Sequence, residues 1–351
     1  MKSKYIIWII LICCLLLAAA ATGIGVLHME KKSQYQYIEI VNPIYDSGNG
    51  PWVIRQGNDY YYCWSDGAIH VRKIDNLHDI KDIGGTAVWT PPKGTMYSAE
   101  LWAPELHYID GAWYIYVAAS NGSNENHRMY VLKGTSQDPT DPFEFVGKIT
   151  DPTDRWAIDG TVLRHKGEMY FVWSGWEGDV DVGQQLYIAH MRDPVTIDSQ
   201  RVMISSPTNK WERMALPLQE GPVALTDEET GSAIIVYSAS GSWTDYYCLG
   251  QLTLTGTDPM DPTSWTKSED PIFAKDTGTY GPGHCSFVEA LDGQLWMIYH
   301  ANTFPGLGWD GRTCRAQPVQ WDGKTLDLGV PLAPGQPVLL PVLSRDQTDF
   351  E

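Results

Sequence analysis

The chain has 351 residues, with 25 basic and 43 acidic side chains and a formal net charge of -18 at pH 7. Binding a nucleic acid requires basic patches, and no run of Lys or Arg is longer than two, so this composition excludes a nucleic-acid partner. The 15 Trp and 19 Tyr residues are numerous, and aromatic rings can stack on the apolar faces of sugars as well as pack between strands.

The N-terminus has the pattern of an export signal. Lys2 and Lys4 precede an unbroken apolar run from Ile6 to Ala21, and small residues follow at 18–22. This pattern predicts that residues 1–28 are a signal peptide or an uncleaved membrane anchor, so the protein is secreted or membrane-anchored and contacts the membrane only through this segment. Residues 29–36 are predicted to be a polar linker.

Five similar hairpins follow, each an apolar strand, a glycine turn and an aromatic strand. Their turn glycines recur every 54 to 64 residues and are Gly57, Gly111, Gly167, Gly231 and Gly293. A hairpin repeat of this length buries its apolar faces only against its neighbours. We therefore predict an all-β, five-bladed propeller over residues 37–345, with a tail at 346–351. The segment from Val330 onward is expected to supply the strand that closes the ring.

Polar residues stand shortly before four of these hairpins, where the first strand of each blade should line the central channel. The five positions are Gly50, Glu105, Asp159, Glu220 and His284. Any one of the polar residues is compatible with an ordinary strand start, and for Glu105 that alternative stays open. Two carboxylates that face a common pocket are what glycoside hydrolysis requires, since one must be protonated and the other ionised.

Several strings resemble those of family 43 glycoside hydrolases, which are five-bladed propellers that invert the anomeric centre. They are SAELWAPELHYIDGAWYIYVAAS, DRWAIDGTV, FVWSGWEGDVD, LQEGP, YSASGSW, GPGHCSF and WDGRTCRAQPVQW. The resemblance covers about residues 40 to 341 and is strongest to exo-acting α-L-arabinofuranosidases. It implies that Glu220 is the general acid and that Asp159 orients it and raises its pKa. It also implies that His284 contacts a hydrated cation, often calcium, and that Arg312 lies near the sugar.

One position departs from the family pattern. The resemblance implies an Asp as general base in the first blade, and Gly50 stands in its place. Loss of a catalytic base usually costs on the order of 10²- to 10⁴-fold in rate. Asp46 is the nearest carboxylate that could substitute, although its offset does not guarantee reach. Some branches of the family that act on galactans also lack this Asp and remain active.

The sequence thus predicts an exported glycosidase that removes terminal α-L-arabinofuranosyl units from plant arabinan or arabinoxylan. Trp102 and Trp176 are predicted to contact the sugar, together with Arg312 and His284. Two alternatives remain open: a β-xylosidase on the same scaffold, and a glycan-binding propeller without turnover.

Overall fold

The computed structural model describes residues 35–81 and 84–343. The predicted leader at 1–28, most of the predicted linker and the predicted tail at 346–351 lie outside these residues. The described residues belong to two compact units, one of residues 35–39 and 339–343 and the other of residues 40–338. Throughout the described ranges no helix is long and apolar enough to cross a membrane.

The larger unit is an all-β, five-bladed propeller, which confirms the predicted fold. Strand β1 (Tyr35–Val41) precedes the blades, and each blade is an antiparallel sheet whose strands follow chain order, except that the last strand of blade 3 pairs with the third. Blades 1 and 2 contain β2 (Trp52–Gln56), β3 (Asp59–Ser65), β4 (Ile69–Ile74), β5 (Ala87–Trp89), β6 (Ala99–Ile109), β7 (Ala112–Ser120), β8 (Arg128–Gly134) and β9 (Phe143–Lys148). Blade 3 contains β10 (Ala157–His165), β11 (Glu168–Gly175), β12 (Gln185–Asp193), β13 (Thr196–Ile197) and β14 (Val202–Ser205).

Blades 4 and 5 follow the same design. Their strands are β15 (Gln219–Asp227), β16 (Ser232–Ala239), β17 (Cys248–Leu254), β18 (Trp265–Lys267), β19 (Tyr280–Glu289), β20 (Leu295–Asn302) and β21 (Arg312–Pro318). A hairpin of β22 (Gln320–Trp321) and β23 (Leu326–Asp327) comes next, and β24 (Pro337–Leu343) is the last described strand. The helical turns in the described residues are short 3₁₀ segments at Leu77–Lys81, Asn124–Asn126, Lys210–Glu212 and Pro262–Ser264.

The second strand of a blade illustrates how the blades hold together. Along β7, Ile115 and Val117 pack into an apolar cluster shared with blade 1. The alternate residues Tyr116 and Ala118 pack into a second cluster, shared with blade 3. Because successive side chains of a strand point to opposite faces, a strand that is apolar at every position serves two interfaces at once.

The ring is closed by residues that precede blade 1. The Ile44 N–H donates to the Cys314 carbonyl at 2.9 Å, and the Cys314 N–H donates to the Tyr45 carbonyl at 2.9 Å. The Asn42 side chain continues this pairing through hydrogen bonds with both backbone groups of Ala316. The expectation that the segment from Val330 pairs with the first blade is wrong, since β24 pairs with β1.

Candidate active site

The five inner strands begin with one shared backbone feature. Near the start of each stands a residue in the left-handed conformation: Gly50 (φ 55°), Ala103 (φ 43°), Asp159 (φ 54°), Gly221 (φ 52°) and His284 (φ 45°). In blades 2 to 5 this residue lies within a β-bulge, where the pairing of the first two strands shifts register. A bulge of this kind re-aims a side chain and is common beside active sites. We call these five residues the central ring.

Close contacts show that ring members from different blades meet. A Cβ atom added to Gly50 would lie 3.4 Å from the Ala103 Cβ and 3.1 Å from the His284 Nε2. A Cβ atom added to Gly221 would lie 3.1 Å from the Cγ of the same imidazole. The Gly221 N–H donates to the Asp159 Oδ2 at 3.0 Å. The imidazole therefore fits because two of its neighbours in the ring are glycines.

Glu220 directly precedes the ring position of blade 4. Its side chain is buried, and its Oε1 accepts a hydrogen bond of 2.7 Å from the Tyr247 hydroxyl. Burial raises the pKa of Glu220, and the negative charge of Asp159 raises it further, against smaller opposing effects of the Tyr247 hydrogen bond and the Arg312 charge. A raised pKa keeps this carboxyl protonated at a pH where an ordinary Glu is ionised. This is the state that a general acid requires.

Asp159, the ring residue of blade 3, is also a buried carboxyl. Burial raises its pKa as well, whereas the Gly221 N–H and the positive charge of Arg312 act in the opposite direction. A backbone N–H that donates to a carboxylate favours its ionised form. The negative charge of Asp159 raises the pKa of Glu220, so the two carboxyls do not both ionise easily. The pair can therefore hold one proton near neutral pH, where ordinary carboxyls are both ionised.

His284 lies at the centre of the ring. Its backbone N–H donates to the Ser238 hydroxyl at 2.8 Å, and its Nδ1 is 3.9 Å from the Asp159 Oδ2, too far for a hydrogen bond. Burial lowers the pKa of this imidazole to about 4, so it is neutral near pH 7. His284 therefore lies beside the acids without neutralising them.

Arg312, at the start of β21, brings a positive charge to the site. Its Nη1 donates to the Asn49 side chain at 2.8 Å and its Nη2 to the Ser242 carbonyl at 3.0 Å. The guanidinium carbon is 6.0 Å from the centre of the Tyr247 ring. Arg312 therefore links blade 5 to the residue before Gly50, and its contact with a bound sugar stays a prediction.

Asp159 is the one acid among the five ring positions, and the ring position of blade 1 is Gly50, which has no side chain. The Gly50 N–H donates to Nδ1 of the fully buried His300 at 3.3 Å. The His300 ring stacks on Tyr247, with ring centres 5.7 Å apart and planes 7° from parallel. Asp46, the predicted substitute, is exposed. A base role for Asp46 stays a prediction.

The two tryptophans predicted to contact the sugar differ in environment. Trp102 is 38% exposed and stacks one face on His127, with ring centres 3.8 Å apart. Trp176 is 5% exposed and stacks on Trp156 at 4.7 Å, within the cluster shared by blades 2 and 3. Of these two rings, Trp102 is the one with an open face.

Glu105 is not a ring member. It follows the ring position of blade 2 by two residues, is buried and hydrogen-bonds the His107 Nε2 at 2.8 Å. This contact supports the ordinary structural alternative that the sequence left open. Tyr247 and His300 were not predicted from the sequence, because no motif marks them: Tyr247 lies in the loop before β17, and His300 lies on β20, the second strand of blade 5.

A calcium ion at His284 would need ligands that the protein side chains do not supply. Calcium takes about six to eight oxygen ligands, and three of the five ring positions are Gly or Ala. In the described ranges no group of three or more His, Cys, Asp or Glu side chains is arranged to hold a metal. The residues therefore fit no directly bound calcium, and a hydrated ion at His284 stays a prediction.

The chain matches known proteins over most of its length. It is 32% identical over 314 residues to the extracellular exo-α-(1→5)-L-arabinofuranosidase of Streptomyces avermitilis, covering 85% of this chain and 65% of that protein. It is 31% identical over 307 residues to the enzyme of the same name from Streptomyces chartreusis, covering 83% of this chain and 91% of that one. The chain thus spans less than two thirds of the first relative's length and nearly all of the second's.

Solved structures share the fold. The α-L-arabinofuranosidase of Lactobacillus brevis superposes with a TM-score of 0.78 at 32% identity, covering 84% of this chain and 98% of that one. A thermostable family-43 glycoside hydrolase superposes with a TM-score of 0.68 at 22% identity, which shows a common fold. The profile of glycosyl hydrolases family 43 matches residues 40–325. With the propeller, the Glu220–Asp159 pair and these relatives in agreement, the chain belongs to glycoside hydrolase family 43.

Proposed function

We propose that this chain is an exported glycoside hydrolase that removes terminal α-L-arabinofuranosyl units from arabinan or arabinoxylan with inversion. The observation that carries the proposal is the buried pair of Glu220 and Asp159, in which Asp159 accepts the Gly221 N–H and its negative charge raises the pKa of Glu220. The names of the relatives from Streptomyces and Lactobacillus support arabinofuranose as the sugar.

Glu220 donates its proton to the glycosidic oxygen as the bond to the anomeric carbon breaks. Asp159 keeps the acid protonated through its negative charge, and the Gly221 N–H holds the Asp159 carboxylate in place. Arg312 hydrogen-bonds the terminal sugar and fixes its orientation. After proton transfer both carboxyls are ionised, and the positive charge of Arg312 stabilises that state.

Gly50 limits the water-activating half of the reaction. An inverting enzyme needs a carboxylate on the sugar face opposite the acid, and glycine supplies none. We therefore expect slow turnover, lower by about 10²- to 10⁴-fold than with a positioned base. Asp46 is the candidate for a partial substitute.

The proposal is tested by replacing Glu220 with Gln. Cleavage of arabino-oligosaccharides, whose leaving groups need a proton, should be abolished, whereas an activated aryl arabinofuranoside should lose much less rate. An equal loss on both substrates would argue against Glu220 as the acid. Assaying an aryl xyloside in parallel distinguishes arabinofuranosidase from β-xylosidase activity.

A glycan-binding protein is the second candidate, and Gly50 is the observation that favours it. In that case calorimetry detects arabino-oligosaccharide binding, while product analysis over long incubation detects no release of arabinose. Released arabinose at any rate that depends on Glu220 would reject this alternative.

Export rests on the pattern of residues 1–28 and on the word extracellular in the names of two relatives. Cell fractionation tests it. Intact protein in the membrane indicates an anchor, and a soluble chain that begins near Thr22 indicates a cleaved signal. A cytoplasmic protein that retains Met1 would contradict both.

A further inference from the structure

Exposed aromatic side chains gather on two loops of blades 4 and 5. Trp243 and Tyr246 lie between β16 and β17, and Phe304 and Trp309 lie between β20 and β21. Trp243 is 42% exposed, Tyr246 49%, Trp309 56% and Phe304 67%, so four large rings face solvent in this region. We call these four side chains the aromatic rim.

Strand register places both loops at the edge of the propeller that carries the acids. Glu220 pairs with Ser238, which in turn pairs with Leu249, so the loop between β16 and β17 emerges just above Glu220. In blade 5, Gly283 pairs with His300 and His300 with Cys314, which brings the second loop to the same edge. The rim therefore borders the mouth of the channel.

The two loops are fixed to each other. The Trp309 Nε1 donates to the Ser242 hydroxyl at 3.1 Å, and the rings of Trp243 and Trp309 meet edge to face with centres 5.8 Å apart. The Gly306 N–H donates to the Asp245 Oδ1 at 2.9 Å. These bonds hold the two tryptophans in a defined pair at the surface.

The same loops reach the catalytic residues. Tyr247 ends the first loop and donates to the Glu220 carboxyl. Arg312 follows the second loop and donates to the Ser242 carbonyl in the first. The hydrogen-bond partner of Glu220 and the guanidinium of Arg312 are therefore each next to a rim loop in the chain.

The position of the acid determines where the leaving group goes. Glu220 must come within hydrogen-bond distance of the oxygen that joins the terminal sugar to the rest of the substrate, so the next sugar lies on the Glu220 side of the channel. On that side the chain presents Trp243 and Trp309, whose apolar faces suit stacking on a sugar ring. Exposed apolar surface gathered in one place commonly marks a binding site.

We propose that the aromatic rim binds the leaving-group side of the substrate, with the sugars that follow the terminal arabinosyl unit stacked on Trp243 and Trp309. This inference rests on the proposed function. It predicts that the protein prefers an oligosaccharide over a single sugar and that the preference resides in these two rings.

The test uses the full chain with Glu220→Gln, so that bound oligosaccharide is not consumed, and titrates it with L-arabinose and with α-1,5-linked arabinotriose. Adding Trp309→Ala or Trp243→Ala should weaken arabinotriose binding by about fivefold to tenfold and leave arabinose binding within about twofold. Trp309→Phe keeps a ring and should retain most of the arabinotriose affinity, although it loses the bond to Ser242. Tyr37→Ala, which removes an exposed aromatic of β1, is the matched control and should change neither ligand.

Three outcomes would overturn the proposal. If both ligands weaken equally in the Trp→Ala variants, the rim belongs to the terminal-sugar site. If Trp309→Phe is as weak as Trp309→Ala, the lost bond to Ser242 and not ring stacking explains the effect. If the parent binds arabinotriose and the Trp→Ala variants bind it equally well, the rim has no role while the proposed function stands. Failure of the parent to bind either sugar would instead reject the proposed function, and the rim proposal with it.

Discussion

Gly50 and Asp159 occupy equivalent places in blades 1 and 3 and have nearly the same backbone, with φ of 55° and 54°. One presents a buried carboxylate and the other presents no side chain. Asp adopts the left-handed region more readily than most residues, so the backbone of this position tolerates the acid that Gly50 lacks. The blade architecture therefore sets the backbone at the ring positions, whereas the side chain at a ring position can differ from blade to blade without loss of the fold.

The largest loss of activity is expected when the ring residue of blade 3 is replaced by that of blade 1. Asp159→Gly should lower kcat/KM on arabino-oligosaccharides by at least about 10²-fold, because Glu220 loses the charge that helps keep it protonated. Steady-state release of arabinose measures the effect. Asp193→Asn, which alters a carboxylate of β12 in the same blade, is the control. A loss smaller than about threefold would show that the two ring positions are equally dispensable.

The reverse substitution gives blade 1 the ring residue of blade 3. Gly50→Asp should raise arabinofuranosidase activity by at least about tenfold, since a positioned base contributes on the order of 10² or more. The new Cβ would lie 3.1 Å from the His284 Nε2, so the imidazole must shift by a few tenths of an ångström. Azide should also raise the rate of the natural protein, because a small anionic nucleophile does not need a general base.

A different pattern would locate the base elsewhere. If Asp46→Asn abolishes activity and Gly50→Asp adds little, Asp46 acts as the base. If Gly50→Asp and azide both leave a zero rate unchanged while arabino-oligosaccharides still bind, the protein is a glycan-binding propeller.

The effect of the Asp159 charge on Glu220 can be measured from the pH dependence of kcat/KM. The negative charge of Asp159 raises the pKa of Glu220, so Asp159→Asn should lower that pKa, and the protonated acid should be lost at a lower pH. The alkaline limb of kcat/KM against pH is therefore expected to move toward acid. Burial still raises the pKa of Glu220 in the variant, so the limb should remain above the ordinary range of Glu. If the alkaline limb stays at the same pH in Asp159→Asn, Asp159 does not raise the pKa of Glu220.

The smallest expected effect concerns the backbone of Gly50 itself. Gly50→Ala should destabilise the fold by about 1 kcal/mol, because Ala in the left-handed region is strained. Gly57→Ala is the matched control, since Gly57 also has a positive φ and a Cβ atom there would have open space. Chemical denaturation measures both. If Gly50→Ala lowers the free energy of unfolding more than Gly57→Ala does, the difference is the cost of the new contact with His284. Equal decreases would show that the buried imidazole moves aside at no cost.

Much of the fold followed from the repeat of hairpins, because a strand pattern of fixed period has few ways to bury its apolar faces. Asp159 and Glu220 were also within reach of the sequence, since each stands between an apolar run and a small residue. Glu105 is followed by Leu106 and lacks this signal, and its carboxylate is bonded to His107. The sequence at the start of an inner strand therefore places a channel-facing residue only to within one or two positions. The β-bulge determines which of these residues faces the channel.

The parts that escaped prediction depend on contacts distant in sequence. Tyr247 reaches Glu220 because the loop after β16 folds back over it, and His300 reaches Gly50 across a separation of 250 residues. Ring closure was misjudged for the same reason, since an apolar C-terminal segment and an N-terminal one look equally able to pair with an edge strand. Which of the two segments pairs with the edge strand depends on tertiary contacts that the sequence pattern does not show.

The closure of the ring bears on how the protein is made. The side chain of Asn42 binds the backbone of Ala316, a separation of 274 residues, so these partners leave the ribosome far apart in time. Until the last blade has been synthesised, the first blade has neighbours on one side only, and the early chain has to persist as an open arc. Contacts between such distant segments are slow to form. A nascent chain halted within blade 5 would keep an unsealed edge, so quality control during synthesis would depend on the final strands and not on the catalytic centre.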